Sequence, residues 1–127
     1  MNAKPDLWLI PDAIFDGTRL RAGAALGVTG GQSLQIADTP PPDEPTRRIQ
    51  GTLTPGFLDL QVNGGGDALL NNDQTPTALY RMAAAHRRFG TVGILPTVIT
   101  DAPQVLARAV EAAIAAKGSQ GLLGLHI

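Results

Sequence analysis

The chain of 127 residues contains no cysteine, and only 4% of its residues are aromatic. Without cysteine it can form neither disulfides nor thiolate metal sites, which fits a reducing compartment. Ten Lys and Arg residues against eleven Asp and Glu residues leave a formal net charge of -1. Because no run of basic residues is present, the composition predicts no nucleic-acid partner and no membrane partner.

Long apolar runs are also missing. The run Leu7–Ile10 is stopped by Pro11 and Asp12, too early for the apolar core of a secretory signal. No stretch approaches the length needed to cross a bilayer. Hydrophobic residues nevertheless make up 43% of the chain and charged residues 17%, which is typical of a well-packed globular protein. We therefore expect a cytoplasmic protein of about one domain's length.

Residues 1–54 have the pattern of short β-strands separated by turns. Strands are predicted over Leu7–Ile10, Asp12–Phe15, Arg19–Val28, Ser33–Ala37 and Arg48–Gln50. Gly30 and Gly31 favour a hairpin turn, because glycine tolerates positive φ. Four prolines between residues 39 and 45 predict an exposed loop, since proline cannot join the interior of a sheet. This segment is predicted to be a small all-β element.

From residue 55 onward, the pattern changes to alternating strands and helices. Strands are predicted over Phe57–Val62, Thr91–Thr100 and Leu122–Ile127. The two helices are predicted to begin at Thr75 and Asp101 as N-caps, and to end at Gly90 and Gly118. The order β-α-β-α-β with short loops predicts an α/β fold with a parallel sheet and right-handed crossovers.

Apolar stripes at helical spacing predict which helix faces are buried. The stripe of the first helix comprises Leu79, Met82, Ala83, His86 and either Phe89 or Gly90. The stripe of the second helix comprises Val105, Leu106, Ala109, Val110, Ala113 and Ile114. Trp8, Phe57 and Tyr80 are also assigned to the core, and His86 is assigned a structural role.

The stretch Leu53–Gly66 carries the most functional information. A Pro-Gly turn leads into an apolar run from Phe57 that contains Asp59 and ends in polar and glycine residues. This pattern is typical of a buried parallel strand that leads into an active-site loop. Gln61 and Asn63 lie two residues apart, so their side chains should point to the same side of the strand. A structural role is the better interpretation for Asp59, because a buried carboxylate needs hydrogen bonds or a partner.

This stretch resembles the amidohydrolase signature, in which Pro-Gly is followed by two apolar residues, Asp and His-x-His. Gln61 and Asn63 occupy the two histidine positions, a substitution characteristic of the N-acetylglucosamine-6-phosphate deacetylases. The triplet Leu95–Thr97 is similar to the second strand of that family, and Leu123–Ile127 is similar to the start of its third strand. Three such motifs in the correct order and spacing are hard to obtain by chance.

The resemblance implies part of a β-sandwich domain over residues 1–54 and the first units of a (β/α)8 barrel over residues 55–127. It implies hydrolysis of the acetamide of N-acetylglucosamine 6-phosphate, giving glucosamine 6-phosphate and acetate. A divalent metal ion, usually zinc, would take part in the full-length enzyme, which is expected to be a homodimer. A complete barrel needs roughly 250 residues, so we interpret the chain as an N-terminal fragment that continues with Glu-Gly-Pro after Ile127.

Barrel enzymes place their active sites at the carboxyl ends of the strands. The residues predicted to line the cleft are Gln61, Asn63, Gly64, Thr97 and His126. A lone strand histidine is more often structural than a ligand, and a glycine loop after a strand is often a simple turn. No catalytic residue and no metal ligand is predicted within the chain, so the fragment alone is expected to be inactive and to bind no catalytic metal tightly.

Two other functions compete with this interpretation. The chain could belong to another amidohydrolase, such as a dihydroorotase-like or hydantoinase-like enzyme. Those enzymes are expected to keep both histidines, so Gln61 and Asn63 argue against them. Alternatively, the chain could be a non-catalytic fragment whose exposed sheet edges and apolar faces drive self-association.

Overall fold

The computed structural model describes residues 4–127, except for the side chain at position 34. The chain divides into two compact units, and the division falls between Pro55 and Gly56. In the described residues, the first unit is built from short strands and the second from strands and helices in alternation. The fold class is therefore α/β, with mixed sheets.

The first unit arranges its strands in two sheets. The strands are β1 (Leu7–Ile10), β2 (Ala13–Phe15), β3 (Leu20–Ala22), β4 (Ala25–Thr29), β5 (Gln32–Ala37), β6 (Thr46–Arg48) and β7 (Thr52–Leu53). One sheet has the order β5-β4-β1-β6 and the other has the order β3-β2-β7. β1 is antiparallel to β4 and parallel to β6, and β2 is antiparallel to β3 and parallel to β7. Trp8 and Ile14 are buried in this unit.

Two strand predictions in this unit are wrong. The segment Arg19–Val28 forms two strands in different sheets, because Gly23 adopts a φ of +73° and turns the chain between β3 and β4. The strand predicted at Arg48–Gln50 lies two residues earlier, where Thr46 pairs with Trp8. β7 was not predicted, since two residues are too short a run to show an alternating pattern.

The second unit contains β8 (Phe57–Val62), α1 (Pro76–Arg87), β9 (Thr91–Pro96) and α2 (Pro103–Ala116). β8 and β9 pair in parallel, as predicted. The predicted third strand at Leu122–Ile127 is present only as isolated parallel bridges, one between Ile94 and Leu122 and one between Thr97 and His126. These bridges place the last segment alongside β9, so three parallel segments lie side by side.

Helix α1 begins as predicted. Thr75 is the N-cap, and its hydroxyl accepts the N–H of Ala78 at 3.2 Å, while Pro76 occupies the first turn. The end of the helix was placed wrongly, since Arg88 is the C-cap and Gly90 lies two residues beyond it. Gly90 has a φ of +91° and belongs to the turn that leads into β9.

Helix α2 differs from prediction at its start. Ala102, not Asp101, is the N-cap, and no side chain caps the helix. The Asp101 carboxylate instead accepts the N–H of the next residue at 2.7 Å, and it also joins a loop described below. The helix ends as predicted, with Lys117 at the C-cap and Gly118 after it. No helix among the described residues is both long and apolar enough to span a membrane.

The core of the second unit is formed by α1, α2 and the parallel segments. Its largest fully buried side chains include Val62, Leu70, Leu79, Met82, Ile94, Val98 and Leu122. Helix α2 contributes the buried residues Ala109, Ala112, Ala113 and Ala116. Of the predicted stripe, Ala109 and Ala113 are buried and Val105 and Leu106 pack against the core, whereas Val110 and Ile114 are exposed.

Other core assignments also need correction. Phe89 is 79% exposed, because it lies in the turn beyond the end of α1. β8 was predicted to be buried, yet Phe57, Leu58 and Leu60 are 59%, 62% and 59% exposed, respectively. Neighbouring positions of a strand point to opposite faces, so both faces of this part of β8 are largely uncovered among the described residues.

Candidate active-site cleft

A concave surface lies where the three parallel segments of the second unit reach their carboxyl ends. It has a volume of about 330 Å³ and is lined by Gln61, Asn63, Thr97, Val98, Ile99, Thr100, His126 and Ile127. Four of the five cleft residues predicted from the sequence lie here, and they come from three separate segments. The fifth, Gly64, does not line the cleft.

A β-bulge interrupts the pairing of β8 with β9 next to Gln61. In the β8–β9 register, Asp59 pairs with Ile94 and Val62 pairs with Pro96, so two residues of β8 oppose one residue of β9. The Asp59 carboxylate accepts a hydrogen bond from the backbone N–H of Gln61 at 3.1 Å. This N–H therefore has a partner at the point where the strand pairing is interrupted. The Gln61 side chain is exposed and can therefore form hydrogen bonds within the cleft.

Thr97 places a buried hydroxyl in the wall of the cleft. The residue is only 4% exposed, and among the described residues its Oγ1 has no hydrogen-bond partner. An unpaired buried polar group costs about 1–3 kcal/mol, and such groups are rare in folded proteins. The backbone N–H of Thr97 donates to the carbonyl of Val62 at 2.8 Å, so the residue is held at the end of β8.

The imidazole of His126 is oriented by the strand beside it. Its Nδ1 lies 3.0 Å from the carbonyl oxygen of Leu60. A carbonyl can only accept, so Nδ1 carries the hydrogen in this contact and Nε2 is the ring nitrogen left to contact a ligand. The contact is the one expected of a structural histidine, and it also orients the ring within the cleft.

Gly64 shapes the backbone next to the cleft. Its φ is +131°, and an added Cβ would lie 2.8 Å from the carbonyl oxygen of Ala68, so the position favours glycine. The Nε2–H of His86 donates to the carbonyl of Gly64 at 2.9 Å. His86, which was assigned a structural role from the sequence, therefore attaches the glycine loop to α1.

Sequence reasoning missed Asn71. Its side-chain N–H groups donate to the carbonyl of Ile99 at 2.8 Å and to the carboxylate of Asp101 at 2.9 Å. Its Oδ1 accepts the N–H of Ile99 at 2.9 Å. The hydrogen bond from Asn71 and the one from the N–H of Ala102 lower the pKa of Asp101. Asn71 lies beside the similar residue Asn72, and no spacing in the sequence distinguishes the two.

The cleft residues do not fit a metal centre. No cluster of three or more His, Cys, Asp or Glu residues between positions 4 and 127 is arranged to hold a metal ion. The cleft offers one imidazole and two neutral side-chain amides, whereas zinc sites use at least three His, Cys or carboxylate ligands. We therefore derive no reaction step through a metal from these residues.

No family model matches the chain. Curated relatives do match it, among them two sugar-phosphate deacetylases. The N-acetylgalactosamine-6-phosphate deacetylase of Shewanella sp. (strain ANA-3) is 46% identical over 87 residues, which cover 66% of this chain and 22% of that protein. The N-acetylglucosamine-6-phosphate deacetylase of Haemophilus influenzae is 35% identical over 82 residues, which cover 62% of this chain and 22% of that protein. The matched part of the chain thus spans about a fifth of each relative.

Solved structures of N-acetylglucosamine-6-phosphate deacetylases have a fold similar to that of this chain. The N-acetylglucosamine-6-phosphate deacetylase of Pasteurella multocida has a TM-score of 0.82 and 29% identity, over 94% of this chain and 33% of its own. The enzyme of the same description from Mycobacterium smegmatis has a TM-score of 0.82 and 25% identity, over 94% of this chain and 34% of its own. A mutant of the latter, in complex with N-acetyl-D-glucosamine-6-phosphate, is 24% identical and supports the fold alone.

Proposed function

We propose that this chain, whose relatives are N-acetylglucosamine- and N-acetylgalactosamine-6-phosphate deacetylases, is part of an enzyme that removes the acetyl group from an N-acetylhexosamine 6-phosphate. The reaction is hydrolysis of a linear amide, and its products are the amino sugar phosphate and acetate. The observation that carries the proposal is the 46% identity to a curated deacetylase. The convergence of Gln61, Asn63, Thr97 and His126 in one cleft supports it.

The chemistry of the cleft suits the sugar ring and the acetamide. The side-chain amides of Gln61 and Asn63 can both donate and accept hydrogen bonds, as the hydroxyl of Thr97 can. Sugar hydroxyls and an acetamide need this mixture of donors and acceptors. No Arg or Lys is among the described residues that line the cleft, and these side chains are the usual partners of a phosphate. We therefore assign the phosphate group to a different part of the enzyme.

We further propose the architecture of the complete enzyme. Residues 1–54 form part of a β-sandwich domain, and residues 55–127 form the first units of a (β/α)8 barrel. The three side-by-side parallel segments of the second unit support this assignment. The divalent metal implied by the family resemblance would be held by residues beyond those described here, in a cytoplasmic homodimer.

Two sugar phosphates are candidates for the substrate. N-acetylgalactosamine 6-phosphate is favoured by the higher identity to the Shewanella relative, 46% against 35% for the Haemophilus relative. The two sugars differ only in the orientation of the C4 hydroxyl. A hydrogen-bonding site can discriminate strongly between such substrates when a buried polar group would lose its partner.

A direct assay tests the proposed function. The full-length gene product should release acetate from N-acetylglucosamine 6-phosphate or from N-acetylgalactosamine 6-phosphate, and the ratio of the two kcat/KM values identifies the substrate. Dihydroorotate and a hydantoin serve as controls for the competing amidohydrolases. The 127-residue chain alone is expected to show no activity. Turnover of a cyclic amide, with neither sugar phosphate hydrolysed, would contradict the proposal.

Replacing Thr97 by valine should separate activity from stability. The substitution removes the unpaired Oγ1 and keeps the side chain's shape, so the free energy of unfolding should stay the same or rise by about 1 kcal/mol. If the hydroxyl contacts the substrate, kcat/KM should fall about tenfold, which corresponds to about 1.4 kcal/mol. Denaturant unfolding and the acetate assay measure the two effects.

Thr97→Ser is the control, since it keeps the hydroxyl and should retain most of the activity. Full activity in the valine variant would show that the hydroxyl has no role in the cleft.

A further inference from the structure

The side chain of Asn71 connects two loops that leave neighbouring parallel strands. Asn71 lies in the loop that follows β8, whereas Ile99 and Asp101 lie in the loop that follows β9. With Ile99, Asn71 both donates to the carbonyl and accepts from the N–H, at 2.8 and 2.9 Å. A residue of a neighbouring antiparallel strand would make the same pair of hydrogen bonds, one to the carbonyl and one to the N–H. The bond to Asp101 adds a third connection at 2.9 Å.

Asn71 is itself held in place. Its backbone carbonyl accepts a hydrogen bond from the Gln74 side chain, which also donates to the carbonyl of Leu70. The Oε1 of Gln74 accepts from Nε of Arg108 on α2 at 3.1 Å. The connection therefore runs from α2 through Gln74 and Asn71 to Ile99. A side chain that is anchored in this way can fix the position of the loop it contacts.

The loop that Asn71 holds forms one wall of the cleft. Ile99 and Thr100 line the cleft directly, and the buried hydroxyl of Thr97 lies two residues before Ile99. Gln61 and Asn63 belong to β8 and to the start of its following loop. Holding the two loops together therefore sets the separation between the amides of Gln61 and Asn63 and the opposite wall.

We propose that Asn71 is a positioning residue that fixes the width of the cleft for the sugar substrate. The proposal rests on the deacetylase function proposed above. Asparagine is required because the contact with Ile99 needs a donor and an acceptor on one short side chain. Aspartate has the same shape but cannot donate when ionised, and its charge would repel the carboxylate of Asp101.

The test compares Asn71→Asp with Asn72→Asp in the full-length protein. Both variants introduce the same negative charge. Asn72 is adjacent to Asn71 and exposed, but it takes no part in this network of hydrogen bonds. Asn71→Asp should raise KM and lower kcat/KM about tenfold, because small displacements of substrate-positioning groups lower rates strongly. Asn72→Asp should match the wild type.

Hydrogen exchange at the amide of Ile99 tests the connection without any assay of activity. The only hydrogen bond described for that amide is the one it donates to Asn71 Oδ1. Asn71→Ala removes this acceptor, so exchange of the Ile99 amide should become at least about tenfold faster, while Asn72→Ala leaves it unchanged.

A double substitution protects the test against a variant that merely folds poorly. In Asn71→Asp with Asp101→Asn, the donor and the acceptor of the side-chain bond exchange places, and part of the lost kcat/KM should return. A wild-type protein that hydrolyses neither sugar phosphate would refute the proposed function. An active wild type with equal KM and kcat in the two Asp variants, and equal Ile99 exchange in the two Ala variants, would refute the role of Asn71. The role of Asn71 would also be refuted if Asn71→Asp lowered the free energy of unfolding and the double substitution did not restore it. Asn71 would then be a purely structural residue.

Discussion

Replacing Gln61 or Asn63 by alanine in the full-length protein should lower kcat/KM for the phosphorylated N-acetyl amino sugar by about 100-fold. This is the scale of the loss when one side-chain amide donor is removed from an active site. Both side chains are exposed in the cleft, so neither variant removes packing from the core. The free energy of unfolding should therefore change by no more than about 0.5 kcal/mol. Steady-state kinetics and denaturant unfolding of each variant measure the two quantities.

Matched controls are available for both substitutions. Gln104→Ala changes an exposed glutamine in the first turn of α2, and Asn72→Ala changes an exposed asparagine that does not line the cleft. Both controls should keep wild-type kinetics. If Gln61→Ala and Asn63→Ala also behave like the wild type, the amides are only polar residues at the end of a strand, and the cleft assignment fails.

Replacing Leu79 by alanine should have the largest effect on stability. Leu79 is 1% exposed in the core between α1, α2 and the parallel segments. Removing a buried leucine side chain leaves a cavity and typically costs about 2–5 kcal/mol. The free energy of unfolding of the full-length protein, measured in urea, should fall by this amount. The variant protein that remains folded should keep the wild-type KM, since Leu79 does not line the cleft.

Thr77→Ala provides the comparison on the same helix. Thr77 is exposed in the first turn of α1, and surface substitutions of this kind usually change stability by less than about 0.5 kcal/mol. A loss of less than about 1 kcal/mol for Leu79→Ala would mean that α1 does not pack on the core as described.

Local signals in the sequence predicted much of the second unit. The Pro-Gly turn and the apolar run were sufficient to predict β8, and Thr75 followed by Pro76 was sufficient to predict the start of α1. Gln61 and Asn63 were assigned to the same surface from the period of a strand, and both line the cleft. Such signals are readable because each depends on residues that are close together in the chain.

The buried faces of the helices and the breaks between strands were predicted less well. The stripe predicted for α2 from helical spacing was right at Ala109 and Ala113 but wrong at Val110 and Ile114, whereas Ala112 and Ala116 are buried instead. Small side chains allow close packing of elements, so the most hydrophobic face of a helix is not always the buried one. β3 and β4 read as one strand because the turn at Gly23 separates two runs of similar composition.

In the second unit, the sequence by itself determined the order of strands and helices and the amide residues at the end of β8, because these depend on propensity, capping and period. Only the tertiary structure decided that Asn71 binds Ile99, 28 residues away, and that the hydroxyl of Thr97 is buried without a partner. Contacts between distant residues depend on how two loops pack against each other, and no local period encodes that arrangement. The chemistry of the cleft is therefore read from the chain, whereas its width is set by a contact that appears only in the folded protein.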